Sequence, residues 1–109
     1  MIPQVAMKRS EIVRLCELLP VLSLDVFGSA TSDHFDEARS DVDFVARFAE
    51  RAAGQYLSSY LELAHGLEKI LGRSVDVLTE ESIRNPRFKA AVDTSRERIY
   101  ERAGADQAR

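Results

Sequence analysis

DVFGSATSDHFDEARSDVDFVARF, residues 25–48, holds two short apolar runs on either side of a polar, acidic spacer. The run that enters it, VLSLDVFG at 21–28, sets Leu22, Leu24 and Val26 against Val21, Ser23, Asp25 and Phe27. That alternation has the period of a strand, and Gly28 closes it. The run that leaves it, DVDFVARF at 41–48, alternates again: Val42, Phe44 and Ala46 point one way, Asp41 and Asp43 the other. Two bare carboxylates on one face repel each other. The pair is tolerated in water, or with a divalent cation between its members.

A third short strand, RSVDVLT at 73–79, carries Asp76 between Val75 and Val77, so its carboxylate faces the same way as the first two. Carboxylates on adjacent strands can hold two metal ions, the arrangement that in-line phosphoryl or nucleotidyl displacement uses for its attacking and leaving oxygens. Mg²⁺ suits this, because it prefers oxygen ligands and keeps waters while bridging substrate phosphates. At the Gly28-Ser29 turn, glycine allows close backbone approach to a ligand, and amides at a following helix start offer donors to phosphate. Each piece alone is commonplace: an Asp-x-Asp strand start is usually an exposed edge, and Gly-Ser after a strand is usually a plain turn. Their conjunction at element boundaries points to a nucleoside triphosphate site.

Around this centre the pattern predicts a helix over 4–18, with Ile12, Leu15, Cys16 and Leu19 inward and Pro20 ending it. After Ser29 at most a short helix is expected, then a mobile loop. A second long helix is expected over 54–71, with Leu57, Leu61, Ala64, Leu67 and Leu71 as its buried stripe, His65 on its polar side and Gly72 as its stop. A final helix should turn Phe88, Val92 and Ile99 inward. The fold class is therefore α/β (α+β): a small mixed sheet of at least three strands with helices on one face.

The 109 residues make room for one domain, 1–109, and leave none for a second substrate-binding domain. With 45% hydrophobic and 30% charged residues the composition is that of a globular protein, and no apolar run reaches membrane-spanning length. Cytoplasm is the expected setting. The single cysteine, Cys16, reads as a core residue. A net charge of −3 with scattered basic residues argues against direct nucleic-acid binding. Arg84, Arg87 and Lys89 form a small basic patch, read as solvated surface.

Phe27-Gly28-Ser29, then Ser40-Asp41-Val42-Asp43-Phe44-Val45, then Val75-Asp76-Val77-Leu78, resembles the minimal nucleotidyltransferase family of the DNA polymerase beta superfamily. The resemblance covers nearly the whole chain. It implies the polymerase-beta-like nucleotidyltransferase fold, Mg²⁺ (two ions), a nucleoside triphosphate such as ATP, and transfer of NMP with release of pyrophosphate. It implies Asp41, Asp43 and Asp76 as metal ligands and catalytic groups, with Asp76 near the attacking hydroxyl, and Gly28 and Ser29 on the triphosphate tail. Arg39 and Arg47 are the nearest cations to offset the spacer's charge at a bound nucleotide.

Many members of that family pair with a small all-helical HEPN-domain toxin, as antitoxins able to adenylylate a toxin tyrosine. The acceptor is then expected on that partner, or on a second copy of the chain. The spacer from Ala30 to Ser40 is one residue longer than the family's usual one and carries Asp33, Asp36 and Glu37, with His34 a loop histidine. An alternative reading follows from it, in which the chain neutralises a toxin by masking alone. An apolar strip of Val21, Phe27, Val45 and Leu78 on the open sheet face, covered by a partner, is expected under either reading.

Overall fold

A computed structural model describes residues 1–28, 41–49 and 53–103, giving only the backbone at 53–56. The expected helix and loop after Ser29 lie outside these residues. The chain opens with α1 (Pro3–Met7) and α2 (Arg9–Leu18), followed by β1 (Val21–Phe27), β2 (Val42–Phe48), α3 (Ala53–Leu71) and β3 (Val75–Thr79). A 3₁₀ turn at Glu80–Ser82 leads to α4 (Pro86–Ser95) and β4 (Glu97–Glu101). None of the described helices is long and apolar enough to cross a membrane.

The four strands form one mixed sheet in the order β3-β2-β1-β4, with β1 antiparallel to β2 and β4, and β2 parallel to β3. Val42, Phe44 and Ala46 of β2 are wholly buried against Ile12 and Cys16 of α2 and Leu63, Leu67 and Leu71 of α3. Burying an aliphatic or aromatic side chain contributes about 1.5–3 kcal/mol, so this face carries most of the stability. Burial also pushes the Cys16 thiol up to about 12, against the nearby Arg102 charge. The cysteine is therefore the core residue its setting suggested.

Several expectations are corrected. The first helix is two, α1 and α2, interrupted at Lys8, whose φ of −101° and ψ of 8° leave the helical range. On α3 the buried stripe is Leu63, Leu67 and Leu71; Leu57 and Leu61 are exposed. That helix is apolar on more than one side, so composition could not choose the face. Gly72 does end α3, with a positive φ of 68°.

The larger correction concerns the C-terminal segment. The expected final helix stops at Ser95, and Glu97–Glu101 forms the fourth strand instead. Val92 is buried, but Phe88 stays 43% exposed, its ring edge-on to Phe27 at 6.2 Å. Ile99 is buried from a strand. A register shift on β4 puts Tyr100 opposite Leu24 but Arg98 opposite Asp25. The extra residue of this bulge lets neighbouring Ile99 and Tyr100 both enter the core. A second bulge, between Val21 and Ser23, likewise turns Val21 into the main core and away from the open face.

The remaining strip, Phe27, Val45 and Leu78, is covered by this chain itself, through Val92 of α4 and Ile83. Asp25 shares that outer face and is 97% buried in the middle of β1. Arg96 Nε donates to its Oδ2 at 2.7 Å, and Arg98 Nε donates to its Oδ1. Burial works against the charge of Arg96, but hydrogen bonds to Asp93, Glu80 and Asp25 outweigh it and hold the guanidinium above its ordinary value.

Removing one partner of a buried pair leaves the other charge uncompensated. Asp25→Ala is therefore expected to lower the unfolding free energy in urea by about 3 kcal/mol. Arg98→Ala, at a side chain 41% exposed, should cost ~1 kcal/mol or less. Equal losses for the two variants would show that Asp25 is not the hub of the network.

Candidate active site

β2 lies between β1 and β3, so Asp43 has neighbours on both sides. Its register partner on β1 is Phe27, immediately before the Gly28 turn, and on β3 it is Asp76. Neighbouring strands run about 4.8 Å apart, which places the Asp43 and Asp76 carboxylates side by side on the outer face. Asp41 precedes β2 and is exposed; Asp76 is exposed, and Asp43 is half-buried.

Gly28 turns at a φ of +73°, in the left-handed region that side chains disfavour. A Cβ built there would lie 3.0 Å from Asp43 Oδ2. The glycine is thus required twice, for the turn and for the carboxylate beside it. Its N–H donates to Ser95 Oγ at 3.0 Å, so the last residue of α4 also reaches the site.

The electrostatics agree with this crowding. Asp43 is pushed up to about 6, first by burial and then by the like charges of Asp76 and Asp41. Among the described residues none of these three carboxylates forms an ion pair, whereas Asp25 on the same face has two arginines. No group of three or more His, Cys, Asp or Glu is gathered closely enough to cage a metal among the described residues. Two in-register carboxylates nevertheless fit a hard divalent cation of the Mg²⁺ kind, which takes one or two protein carboxylates and completes its shell with water and phosphate oxygens.

Not every expected site residue joins this centre. Arg47 shares the outer face of β2 but sits opposite Ser23, four residues from Asp43, roughly 13 Å along the strand. Ser29 and Arg39 lie outside the described residues. In the basic patch Lys89 is paired with Asp93 at 2.9 Å. A cleft of about 520 Å³ opens over Asp25, Glu80, Arg96, Arg98 and Glu101 and not over Asp43. Its guanidinium groups already carry carboxylate partners, which leaves little for an anion.

Sequence reasoning missed Ser95 and the role of Asp25. A carboxylate inside an apolar strand signals a buried partner, but the arginines that answer it lie some seventy residues away. Ser95 gave no signal, because its contact is to a backbone amide.

A family model described as a nucleotidyltransferase domain matches residues 11–101. Two Methanocaldococcus jannaschii proteins, each named "Putative protein adenylyltransferase", are similar. One is 42% identical over 74 residues, covering 67% of this chain and 71% of the relative. The other is 30% identical over 92 residues, covering 84% and 88%. A solved structure described as a "putative minimal nucleotidyltransferase" superposes with a TM-score of 0.69 at 26% identity, over 85% of this chain and 90% of that one. A chain from the complex of a tri-AMPylated Shewanella oneidensis HEPN toxin with MNT antitoxin gives a TM-score of 0.61 over 94% and 76%. At 18% identity that last likeness is one of fold.

A carboxylate held above its ordinary value destabilises the folded state once ionised. The Asp43 contribution is therefore favourable below the ordinary value of 3.8 and is lost as pH rises to about 6. Asp43→Asn is expected to match the parent in stability near pH 4 and to exceed it at pH 7.5. The gain should be ~1 kcal/mol, since solvent screens a half-exposed group. Urea unfolding at the two pH values checks this; a variant less stable at pH 7.5 would contradict it.

Proposed function

The chain belongs to the nucleotidyltransferase-domain family, and from that premise we propose that it moves the NMP unit of a Mg²⁺-bound nucleoside triphosphate onto a side chain of a partner protein. ATP is the proposed nucleotide, because the similar M. jannaschii proteins carry the adenylyltransferase name. The proposed partner is a HEPN-type toxin, because a structural neighbour is an MNT antitoxin in complex with a tri-AMPylated one. In this reading residues 1–109 act as a single cytoplasmic transferase domain.

The observation that carries the proposal is the contrast between two aspartates on one sheet face. Asp25 is neutralised by Arg96 and Arg98, while Asp43, beside Asp76 and the Gly28 turn, has no cationic partner among the described residues. A divalent cation between its members would relieve such a pair. Asp41, Asp43 and Asp76 would hold Mg²⁺, which when bound supplies the charge that offsets the triphosphate and steadies the attacking and leaving oxygens.

The acceptor hydroxyl oxygen bonds to the α-phosphorus, and the bond from that phosphorus to the β-phosphate bridging oxygen breaks, releasing pyrophosphate. Asp76, exposed at the outer end of the trio, takes the hydroxyl proton. Gly28 keeps the turn clear of the Asp43 carboxylate and leads the chain into Ser29, which meets the triphosphate. Arg39 is assigned to the nucleotide's remaining charge.

The test is transfer of label from α-phosphate-labelled ATP, with Mg²⁺, to proteins in a lysate of the native host. Asp43→Asn should keep the fold and lower labelling by about 100-fold or more. A labelled helical toxin would identify the acceptor. Toxin neutralisation by unlabelled complexes of Asp43→Asn would establish masking instead.

A further inference from the structure

The last turn of α4 contacts three parts of the sheet at once. Val92 packs on Phe27 and Val45. Ser95 Oγ accepts from the Gly28 N–H at 3.0 Å, and its own proton is taken within α4 by the Ala91 carbonyl at 3.2 Å or the Val92 carbonyl at 3.4 Å. A hydroxyl has one proton to give, and spending it on the helix orients a lone pair toward the Gly28 amide. The next residue, Arg96, bonds to Asp25 within β1 and, at 3.2 Å, to Glu80, the first residue after β3. The strand leading to the Gly28 turn and the strand carrying Asp76 are thereby held to one point.

The geometry at Gly28 gives that point a consequence for chemistry. A Cβ on Gly28 would lie 3.0 Å from Asp43 Oδ2, so the turn and the carboxylate are immediate neighbours. Phe27 is held laterally by its ladder with Asp43, the last pair of these two strands among the described residues. At the next residue the Ser95 hydroxyl ties the turn to α4.

We propose that Ser95 is a positioning residue for the nucleotidyl-transfer site, fixing the Gly28 turn against the Asp43 carboxylate through the Gly28 amide. The effect on nucleotide rests on the function proposed above; the restraint on Gly28 does not. Because the Gly28 N–H is directed to Ser95, the glycine serves by its turn.

The test compares Ser95→Ala and Ser95→Thr with the parent by three measurements: amide exchange at Gly28 by NMR without ligand, thermal unfolding, and calorimetric titration with Mg²⁺-ATP. Ser95→Ala should speed Gly28 exchange about tenfold and weaken Mg²⁺-ATP binding by a similar factor. Exchange at the core amides of Leu24 and Phe44 should stay unchanged, and the unfolding midpoint should move by no more than about 2 °C. Ser95→Thr, which keeps the hydroxyl, should restore both values.

Acceleration spread equally over the core amides would make Ser95 a stabilising residue only and overturn the proposal. So would parental nucleotide affinity in Ser95→Ala. If the parent itself binds no nucleotide, the transferase reading fails, and Gly28 exchange alone decides whether Ser95 restrains the turn: acceleration upholds the restraint, and an unchanged rate overturns it.

Discussion

Val42, Phe44 and Ala46 are wholly buried beneath α2 and α3, and a strand anchored at three alternate positions cannot slip by one residue. A slip would expose all three and carry Asp43 and Val45 into an apolar core. The position of the carboxylates is therefore a by-product of hydrophobic burial on the opposite face. Parallel pairing with β3 then adds Asp76 at the level of Asp43, and antiparallel pairing with β1 brings the Gly28 turn to its other side. The site is assembled by three strands whose register is set elsewhere.

The same economy governs the sheet's borders. A strand at the end of a sheet offers unpaired backbone groups to other chains, and here the helices reach over to occupy some of them. Tyr60 Oη of α3 donates to the Val77 carbonyl at 2.7 Å. On the far side Arg9 donates to the carbonyls of Arg98 and Ile99 at 3.1 and 3.4 Å. The outer face has its own cover in α4, capped at its start by Asn85, whose Oδ1 accepts from the Arg87 and Phe88 amides. At the end of the sheet beside the Gly28 turn, Asp41 and Asp76 are exposed.

Strand parity was legible because period-two alternation is a local property, and it was enough to bring Asp41, Asp43 and Asp76 to one face. The helix over 54–71 and its Gly72 stop were legible for the same reason. Failures arose where a distant partner decides the outcome. Val92 and Ile99 are seven residues apart, a spacing that suits a continuous helix as well as a helix followed by a strand. Only pairing with β1, far away in sequence, makes Glu97–Glu101 extended. The two bulges that send Val21 and both Ile99 and Tyr100 into the core break alternation by one residue each, and no local pattern records an insertion. Leu57 and Leu61 were misplaced because α3 has apolar residues to spare and its contacts choose among them.

The two buried or half-buried aspartates on one sheet face differ in what answers their charge. Taking a carboxylate out of water costs several kcal/mol unless opposite charge or hydrogen bonds answer it. Asp25 is answered from within, by Arg96 and Arg98, and the result ties α4 and β4 to β1. Asp43 is burdened further by Asp76 and Asp41, which raise its proton affinity, although Arg47 lies on its own strand and could have been placed nearer. A fold selected for stability alone would divide its cations between the two aspartates. Among the described residues the cations are concentrated on Asp25, which keeps the scaffold firm, and in the function proposed above the charge of Asp43 and Asp76 meets a cation and the phosphates that travel with it.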